Sequence, residues 1–121
     1  MLTGFDQQII YDLVDDVPEG SVATYGMVAS LLPGVTARMV GRALGALSVG
    51  SKTPWHRIVN AAGRVHSEEA RIRLANEGIT FRPNGNVDWT HCRWNGPSPV
   101  WLEAKNANPM AAMEIVAGWR R

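Results

Sequence analysis

Apolar residues recur at intervals of four near the start of the chain. They are Phe5, Ile9, Leu13 and Val17. This period predicts an amphipathic helix from Phe5 to Val17 that buries one face. Thr3 followed by Asp6 is typical of a helix start, and Pro18-Glu19-Gly20 ends the helix. We expect this element to pack and to carry no chemistry.

Two further short helices are predicted on either side of a tight turn. The first covers residues 24–32, with Thr24 as its cap, and Pro33-Gly34 ends it. The second covers about residues 36–47. Two short helices joined in this way are the sequence form of a helix-turn-helix, which many DNA-binding proteins use.

The middle of the chain predicts one small β element and one helix. Ile58-Val59 indicates a strand, and residues 60–63 followed by Arg64-Val65 predict a small hairpin or wing. A fourth helix is expected over residues 67–76, with Ser67 as its cap.

Residues 82–121 differ in character from the rest. Val87–Leu102 holds three tryptophans without a clear period, which predicts an irregular segment wrapped around the core. Asn108 followed by a proline predicts a terminal helix from Pro109 to Trp119. We therefore expect one mainly α-helical domain over residues 1–121, with 82–121 as an irregular tail and short terminal helix.

Charge is distributed unevenly, although the net charge is only +1. Residues 1–20 carry −5, residues 21–75 carry +5 and the remainder carries +1. The basic block contains Arg38 and Arg42, which lie four apart on one face of the third predicted helix. This block predicts a surface attracted to phosphate, and an ordinary solvated segment is the alternative.

Length and composition narrow the class of protein. A chain of 121 residues has the size of one domain. It has neither an apolar stretch long enough for a membrane span nor a signal-peptide pattern, so we expect a cytoplasmic, monomeric protein that does not bind membranes. The single cysteine, Cys92, offers neither an internal disulfide nor a thiolate cluster. We expect no metal and no cofactor.

The segment from Thr53 to Asn60 carries the most distinctive chemistry. Pro54 places Trp55 on a stiff, non-helical segment, and His56 and Arg57 follow directly. An aromatic plane, a titratable ring and a fixed cation suit acid-base chemistry or a flat, partly anionic ligand such as a nucleotide. A buried tryptophan in a turn is the other interpretation.

Two glycines interrupt the third predicted helix. Gly41 and Gly45 each cost about 1 kcal/mol relative to alanine in a helix, which indicates a reason for their presence. Both give the helix a low profile. Tight packing against another helix and close approach to DNA remain open as reasons.

Four motifs, in order along the chain, resemble the signatures of O6-alkylguanine-DNA alkyltransferases. They are Tyr25-Gly26, Ala37-Arg38-Met39-Val40-Gly41-Arg42-Ala43-Leu44, Pro54-Trp55-His56-Arg57-Ile58-Val59 and Asn76-Glu77-Gly78. In the active enzymes a cysteine stands between the proline and the histidine, where this chain has Trp55. The replacement resembles the alkyltransferase-like proteins, the non-catalytic relatives. The fold implied is the winged helix-turn-helix-like domain at the C-terminus of the alkyltransferases.

The resemblance implies how DNA is bound. The third helix enters the minor groove, and Arg38 resembles the finger that fills the place of an extruded nucleotide. Tyr25 resembles the tyrosine that crowds the phosphate beside that nucleotide. The DNA-binding residues are expected to be Tyr25, Thr36, Ala37, Arg38, Gly41, Arg42, Arg57 and Arg64.

The resemblance also implies a pocket without a nucleophile. Pro54, Trp55, His56 and Tyr25 are expected to line the lesion pocket. His56 and Glu77 resemble the base and carboxylate that activate the missing cysteine, so a structural role is expected for them. The loops before Pro54 and after Val65 lack the hinge asparagine and the Tyr-Ser-Gly-Gly run of the enzymes, which opens the pocket.

The function predicted is binding of O6-alkylguanine in double-stranded DNA by nucleotide flipping, without alkyl transfer. No residue is expected to be catalytic. Persistent binding would flag the lesion for nucleotide excision repair, whose damage-recognition proteins are the expected partners. The alternatives are a sequence-specific transcription regulator and an alkyl acceptor that uses Cys92, beside His91 and Arg93.

Overall fold

The computed structural model describes the backbone of residues 4–120 and the side chains of residues 7–120. Within this range no helix is long and apolar enough to cross a membrane. The α-helices are α1 Gly4–Asp15, α2 Tyr25–Ser30, α3 Ala37–Gly45, α4 Glu68–Asn76, α5 Pro99–Ala104 and α6 Pro109–Gly118. Two short strands, β1 Ala23–Thr24 and β2 Ile58–Val59, form a parallel pair.

The first helix buries one face, as its period predicts. Ile10, Leu13, Val14 and Val17 are all buried. α1 ends at Asp15, and turn-type hydrogen bonds from the next two backbone N–H groups carry the chain to Val17. The expected Thr3 cap and the Phe5 and Asp6 side chains lie outside the described residues.

A threonine caps each helix of the helix-turn-helix, and the cap at Thr24 confirms the prediction. The Thr24 and Thr36 side chains accept hydrogen bonds from the backbone N–H groups of Met27 at 2.9 Å and Met39 at 3.2 Å. Each cap begins a helix because it satisfies an N–H group that has no partner within the helix. The Tyr11 hydroxyl donates to the Ala43 carbonyl at 2.6 Å and fixes α3 against α1.

The predicted hairpin is wrong. β2 pairs in parallel with β1, with Ala23 opposite Ile58. The side chain of Asn60 accepts hydrogen bonds from the N–H groups of Ala62 at 3.0 Å and Arg64 at 2.8 Å. Residues 60–64 therefore form a closed turn after β2, and within the described residues no antiparallel strand pairs with β2.

The buried residues form two clusters. The first joins α1, α2 and α3 with Ile58 and Trp94. The second contains Val22, Val59, Leu74, Ile79, Val87 and Cys92. The strand pair stands between them, since Ala23 and Ile58 belong to the first cluster while Val59 belongs to the second.

The tail packs on the first cluster through three of its tryptophans. Trp94 is 2% exposed and stacks on Trp119, with ring centroids 5.7 Å apart. The Trp101 indole N–H donates to the Asp12 carbonyl of α1 at 3.2 Å. The prediction of an irregular segment is wrong at α5. This helix forms there because Ser98 caps it and Pro99 begins it.

Candidate nucleic-acid interface

The outer face of α3 carries the predicted DNA-contacting side chains. Thr36, Ala37, Arg38 and Arg42 are all exposed. The opposite face buries Val40 and Ala43 in the first cluster. The helix therefore presents two guanidinium groups to the surface from a firmly packed base.

Gly41 and Gly45 do not serve tight packing between helices. A Cβ atom at Gly41 would lie 3.9 Å from the Tyr25 ring, which is an ordinary contact. One at Gly45 would have no described atom within 4 Å outside its own helix and chain neighbours. The helix-packing interpretation is therefore wrong at these two positions, and at Gly45 the low profile of α3 faces open space.

A groove begins beside these glycines. A narrow cavity of about 70 Å³ lies among Tyr25, Gly41, Leu44, Gly45, Trp55 and His66. It shares four of these residues with a larger groove of about 450 Å³, which we call the Trp55 groove. The Trp55 groove is lined by Leu44, Gly45, Leu47, Ser48, Val49, Gly50, Ser51, Trp55, His66, Ser67, Glu69 and Arg73.

Trp55 lies in this groove and not in the core. Its side chain is half-buried, and neither buried cluster of the described residues includes it. The His56 and His66 rings meet it edge-on, with centroids 6.1 and 6.4 Å away. The Arg73 guanidinium carbon lies 5.5 Å from its ring centroid, a cation–π distance. A partly open aromatic plane is thus held from three sides.

The backbone that carries Trp55 is a turn of 3₁₀-helix and not the non-helical segment predicted. Trp55–Arg57 forms this turn, and the Arg57 N–H donates to the Pro54 carbonyl at 3.0 Å. The turn directs the Trp55 side chain to one side and the His56 and Arg57 side chains to the other. Trp55 reaches the groove, while His56 is 7% exposed and points inward.

His56, Arg57 and Glu77 form a buried polar network, here called the Glu77 network. His56 Nε2 and Glu77 Oε2 are 2.7 Å apart. Arg57 Nε lies 3.0 Å from Glu77 Oε1, and Arg57 Nη2 lies 2.9 Å from Oε2. The side chain of Glu77 is 11% exposed, so this pairing is largely screened from water.

The Glu77 carboxylate is stabilised by its donors. Burial by itself raises its pKa, but hydrogen bonds from Arg57, from His56 and from the Gly20 backbone N–H outweigh burial and lower the pKa below the ordinary value of 4.5. Glu77 is therefore a fixed anion at neutral pH. His56 Nδ1 is the one buried polar side-chain atom of the described residues without a hydrogen-bond partner.

The assignment of Arg57 to a phosphate contact is wrong. Its Nη1 donates to the Val17 carbonyl at 2.9 Å, and its other nitrogens hold Glu77. A guanidinium bound in this way is committed to the interior, since leaving would strand a buried carboxylate. Arg64, by contrast, is exposed on the turn that follows β2. It stays in the predicted DNA-contacting set.

Sequence reasoning missed the far wall of the Trp55 groove. His66, Glu69 and Arg73 stand there on α4 and just before it, and Arg73 donates to Glu69 at 2.8 Å. The sequence held part of this information, because Glu69 and Arg73 lie four apart on one face of α4, next to the face of the buried Ala70 and Leu74. Only the packing of α4 beside the Trp55–Arg57 turn shows that this face meets Trp55.

Cys92 is not placed as an alkyl acceptor. Cys92 is 6% exposed and belongs to the second cluster. Its thiol donates a hydrogen bond to the Asp88 carbonyl oxygen, 3.2 Å from Sγ. Burial, followed by the nearby Asp88 charge, raises the pKa of the thiol despite the presence of Arg93. Because a reactive cysteine needs a lowered pKa and access, the structure opposes this alternative.

The helix-turn-helix, with an arginine-bearing outer helix beside an aromatic groove, defines a DNA-binding protein. The signature described as "6-O-methylguanine DNA methyltransferase, DNA binding domain" matches residues 5–79, more than half of the chain. The chain therefore belongs to this family. Residues 82–120 lie outside the match.

Individual relatives agree with this assignment. The chain is 38% identical to the DNA base-flipping protein of Escherichia coli over 94 residues, 73% of this chain and 73% of that protein. It is 34% identical to Alkyltransferase-like protein 1 of Schizosaccharomyces pombe over 101 residues, 76% and 90% of the two chains.

Its fold also matches the crystal structure of S. pombe Atl1 in complex with damaged DNA containing O6-carboxymethylguanine. The TM-score is 0.67 at 27% identity, over 78% of this chain and 98% of that one. The predicted resemblance to alkyltransferase-like proteins and the mainly helical fold are confirmed.

Proposed function

We propose that this protein binds O6-alkylguanine in double-stranded DNA by turning the modified nucleotide into the Trp55 groove, without transferring the alkyl group. The observation that carries the proposal is the half-buried indole of Trp55 in an open groove beside the arginine-bearing face of α3. The names of the relatives, which include a DNA base-flipping protein, support it.

Arg38 and Tyr25 divide the work of extrusion. Arg38 is exposed on α3, where its planar guanidinium can stack in the vacated position and donate to the orphaned base. Tyr25 lines the narrow cavity together with Gly41. Turning a nucleotide out costs a few kcal/mol, and less at a weakened pair, so alkylguanine is favoured before it contacts the groove.

The groove provides recognition in place of chemistry. Trp55 offers an aromatic face on which a base can stack, worth about 1–3 kcal/mol. Its indole nitrogen is not a nucleophile at neutral pH, and His56 is bound to Glu77. A volume of about 450 Å³ leaves room for more than a methyl adduct. We propose that the lasting complex marks the lesion for nucleotide excision repair.

Competition between matched duplexes tests this function. One duplex carries a single O6-methylguanine, and the other has the same sequence without it. We expect tighter binding to the modified duplex and no gain in protein mass after incubation. Equal affinity for both, with preference for a base sequence, would favour a transcription regulator. A stoichiometric mass gain lost in Cys92→Ser would show alkyl transfer.

A further inference from the structure

The tail forms a second groove, lined by residues that the proposed function does not use. It has a volume of about 670 Å³, and we call it the tail groove. Three arginines, Arg82, Arg93 and Arg120, line it together with Trp89 and Trp119. All five lie beyond the residues that match the family signature.

The tail groove is positively charged. Asp88 is the one acidic residue in its lining. Its carboxylate accepts hydrogen bonds from the Thr90 hydroxyl at 2.6 Å and the Thr90 N–H at 3.0 Å. None of the three arginines pairs with a carboxylate within the described part of the chain. The groove therefore keeps an excess of guanidinium charge that favours an anion.

The walls of the tail groove are held in place. The Arg93 guanidinium lies 4.7 Å from the Trp89 ring centroid. Trp119 stacks on Trp94, and its indole N–H donates to the Ser30 hydroxyl at 3.0 Å. Because one face of each indole is already covered, the groove offers guanidinium edges more than free stacking surfaces. Such edges match the oxygens of a phosphodiester.

The tail groove adjoins the turn that follows β2. The Val87 N–H donates to the Gly63 carbonyl at 2.8 Å. A Cβ atom at Gly63 would lie only 3.1 Å from Trp89 Nε1, so this turn is pressed against the groove wall. The next residue, Arg64, is exposed and predicted to contact phosphate. The turn that carries Arg64 therefore borders the tail groove.

We propose that the tail groove binds the backbone phosphates of DNA that flanks the lesion. This inference rests on the proposed function for the path of the DNA. It assigns to the tail a contribution to affinity that is independent of the lesion, since phosphates carry no information about the base.

The test is the double variant Arg82→Ala/Arg120→Ala, with binding measured against salt concentration on a long, unmodified duplex. We expect the slope of log affinity against log salt to fall by about two, since each lost phosphate contact removes about one. Affinity should fall by the same factor on modified and unmodified long duplexes. A short duplex trimmed to the lesion site should bind as before.

Two controls accompany this variant. Lys105→Ala removes a cation that pairs with Asp12 on α1, and it should leave the slope unchanged. Arg82→Lys/Arg120→Lys keeps the charge and should keep most of the slope.

If the double alanine variant does not fold, the single variant Arg82→Ala replaces it, because the Arg82 side chain makes no hydrogen bond within the described part of the chain. It should lower the slope by about one.

An unchanged slope in a folded double variant would overturn the inference. A second result would also overturn it. If the double variant kept its DNA binding but lost binding of a polyglutamate peptide that the wild-type protein binds, the tail groove would be assigned to an acidic protein partner. Failure of the proposed function would look different. The wild-type protein would then show no lesion preference, while the salt slope on unmodified DNA would still report on the tail groove.

Discussion

The Trp55–Arg57 turn has two sides with opposite character. On one side Trp55 stands half-exposed in an open groove, with the Arg73 guanidinium carbon 5.5 Å from its ring centroid. On the other side, His56 and Arg57 turn inward and saturate Glu77 with hydrogen bonds. Neighbouring residues of one motif thus have separate tasks, one in binding and the other in structure.

The Glu77 network has a structural role that does not depend on a thiol. The Glu77 network joins the turn to the C-terminal end of α4, the helix that carries Arg73. It also reaches the end of the first helical segment through the Val17 carbonyl. The network therefore fixes the relative position of Trp55 and Arg73, and with it the width of the Trp55 groove.

The largest effect is expected from Glu77→Ala. Removing the carboxylate leaves Arg57 and His56 buried without their partner, which should lower the free energy of unfolding by about 3–5 kcal/mol. Urea denaturation followed by tryptophan fluorescence measures the loss. Glu68→Ala is the matched control, because it removes an exposed partner of Arg71 on the same helix and should change stability little. An equal loss of unfolding free energy in both variants would show that the Glu77 network has no special structural role.

Trp55→Ala should act on binding instead of stability. Loss of the stacking plane should weaken binding to the modified duplex by about 1–3 kcal/mol and leave the unmodified duplex nearly unaffected. Titrations of both duplexes measure the difference. Trp55→Phe keeps an aromatic ring and should retain part of the preference. If Trp55→Ala still discriminated fully between the modified and unmodified duplexes, Trp55 would have a packing role and no role in lesion binding.

Gly45→Ala should separate stability from binding on α3. Because the added methyl group meets open space, helix propensity alone should stabilise the fold by up to about 1 kcal/mol. The same methyl group should weaken DNA binding if α3 approaches DNA closely. Thermal unfolding and duplex titration of the same variant check both signs. A variant that gains stability and keeps full affinity would rule out close approach at this position.

Low pH should reduce the stability that the Glu77 network contributes to the fold. The folded-state pKa of Glu77 lies below its ordinary value of 4.5. Its contribution to stability is therefore present above about that pH and is lost as the pH falls through the lowered pKa. In Glu77→Gln this part of the acid-side decline should disappear, as unfolding curves recorded at several acidic pH values would show. An unchanged acid profile would mean that other carboxylates dominate.

Local signals made most helices predictable. Thr24, Thr36, Ser67 and Asn108 each cap the expected helix, because a cap acts on backbone N–H groups two or three residues away. Long-range contacts were not predictable in the same way. The pairing of Ala23 with Ile58 has no turn signal, and it replaced the predicted hairpin.

The residues of the candidate site likewise fall into those that sequence motifs identified and those that only tertiary packing reveals. The motif residues Tyr25 and Trp55 were placed by resemblance, and the structure brings both to one narrow cavity. Arg57 was misassigned because its charge is visible in the sequence while its partner, Glu77, is distant. Arg73 was missed for the complementary reason, since only tertiary packing brings it over Trp55.

Arg38 offers the most direct test of the central claim, which is extrusion of a modified nucleotide. The measurement is fluorescence of a base analogue beside the lesion, which reports unstacking, recorded together with affinity for modified and unmodified duplexes. Arg38→Ala should abolish the unstacking signal and most of the lesion preference. Arg38→Lys should restore nonspecific affinity but little of either, because lysine lacks the planar, multi-donor head. Wild-type unstacking and discrimination in Arg38→Ala would contradict the account.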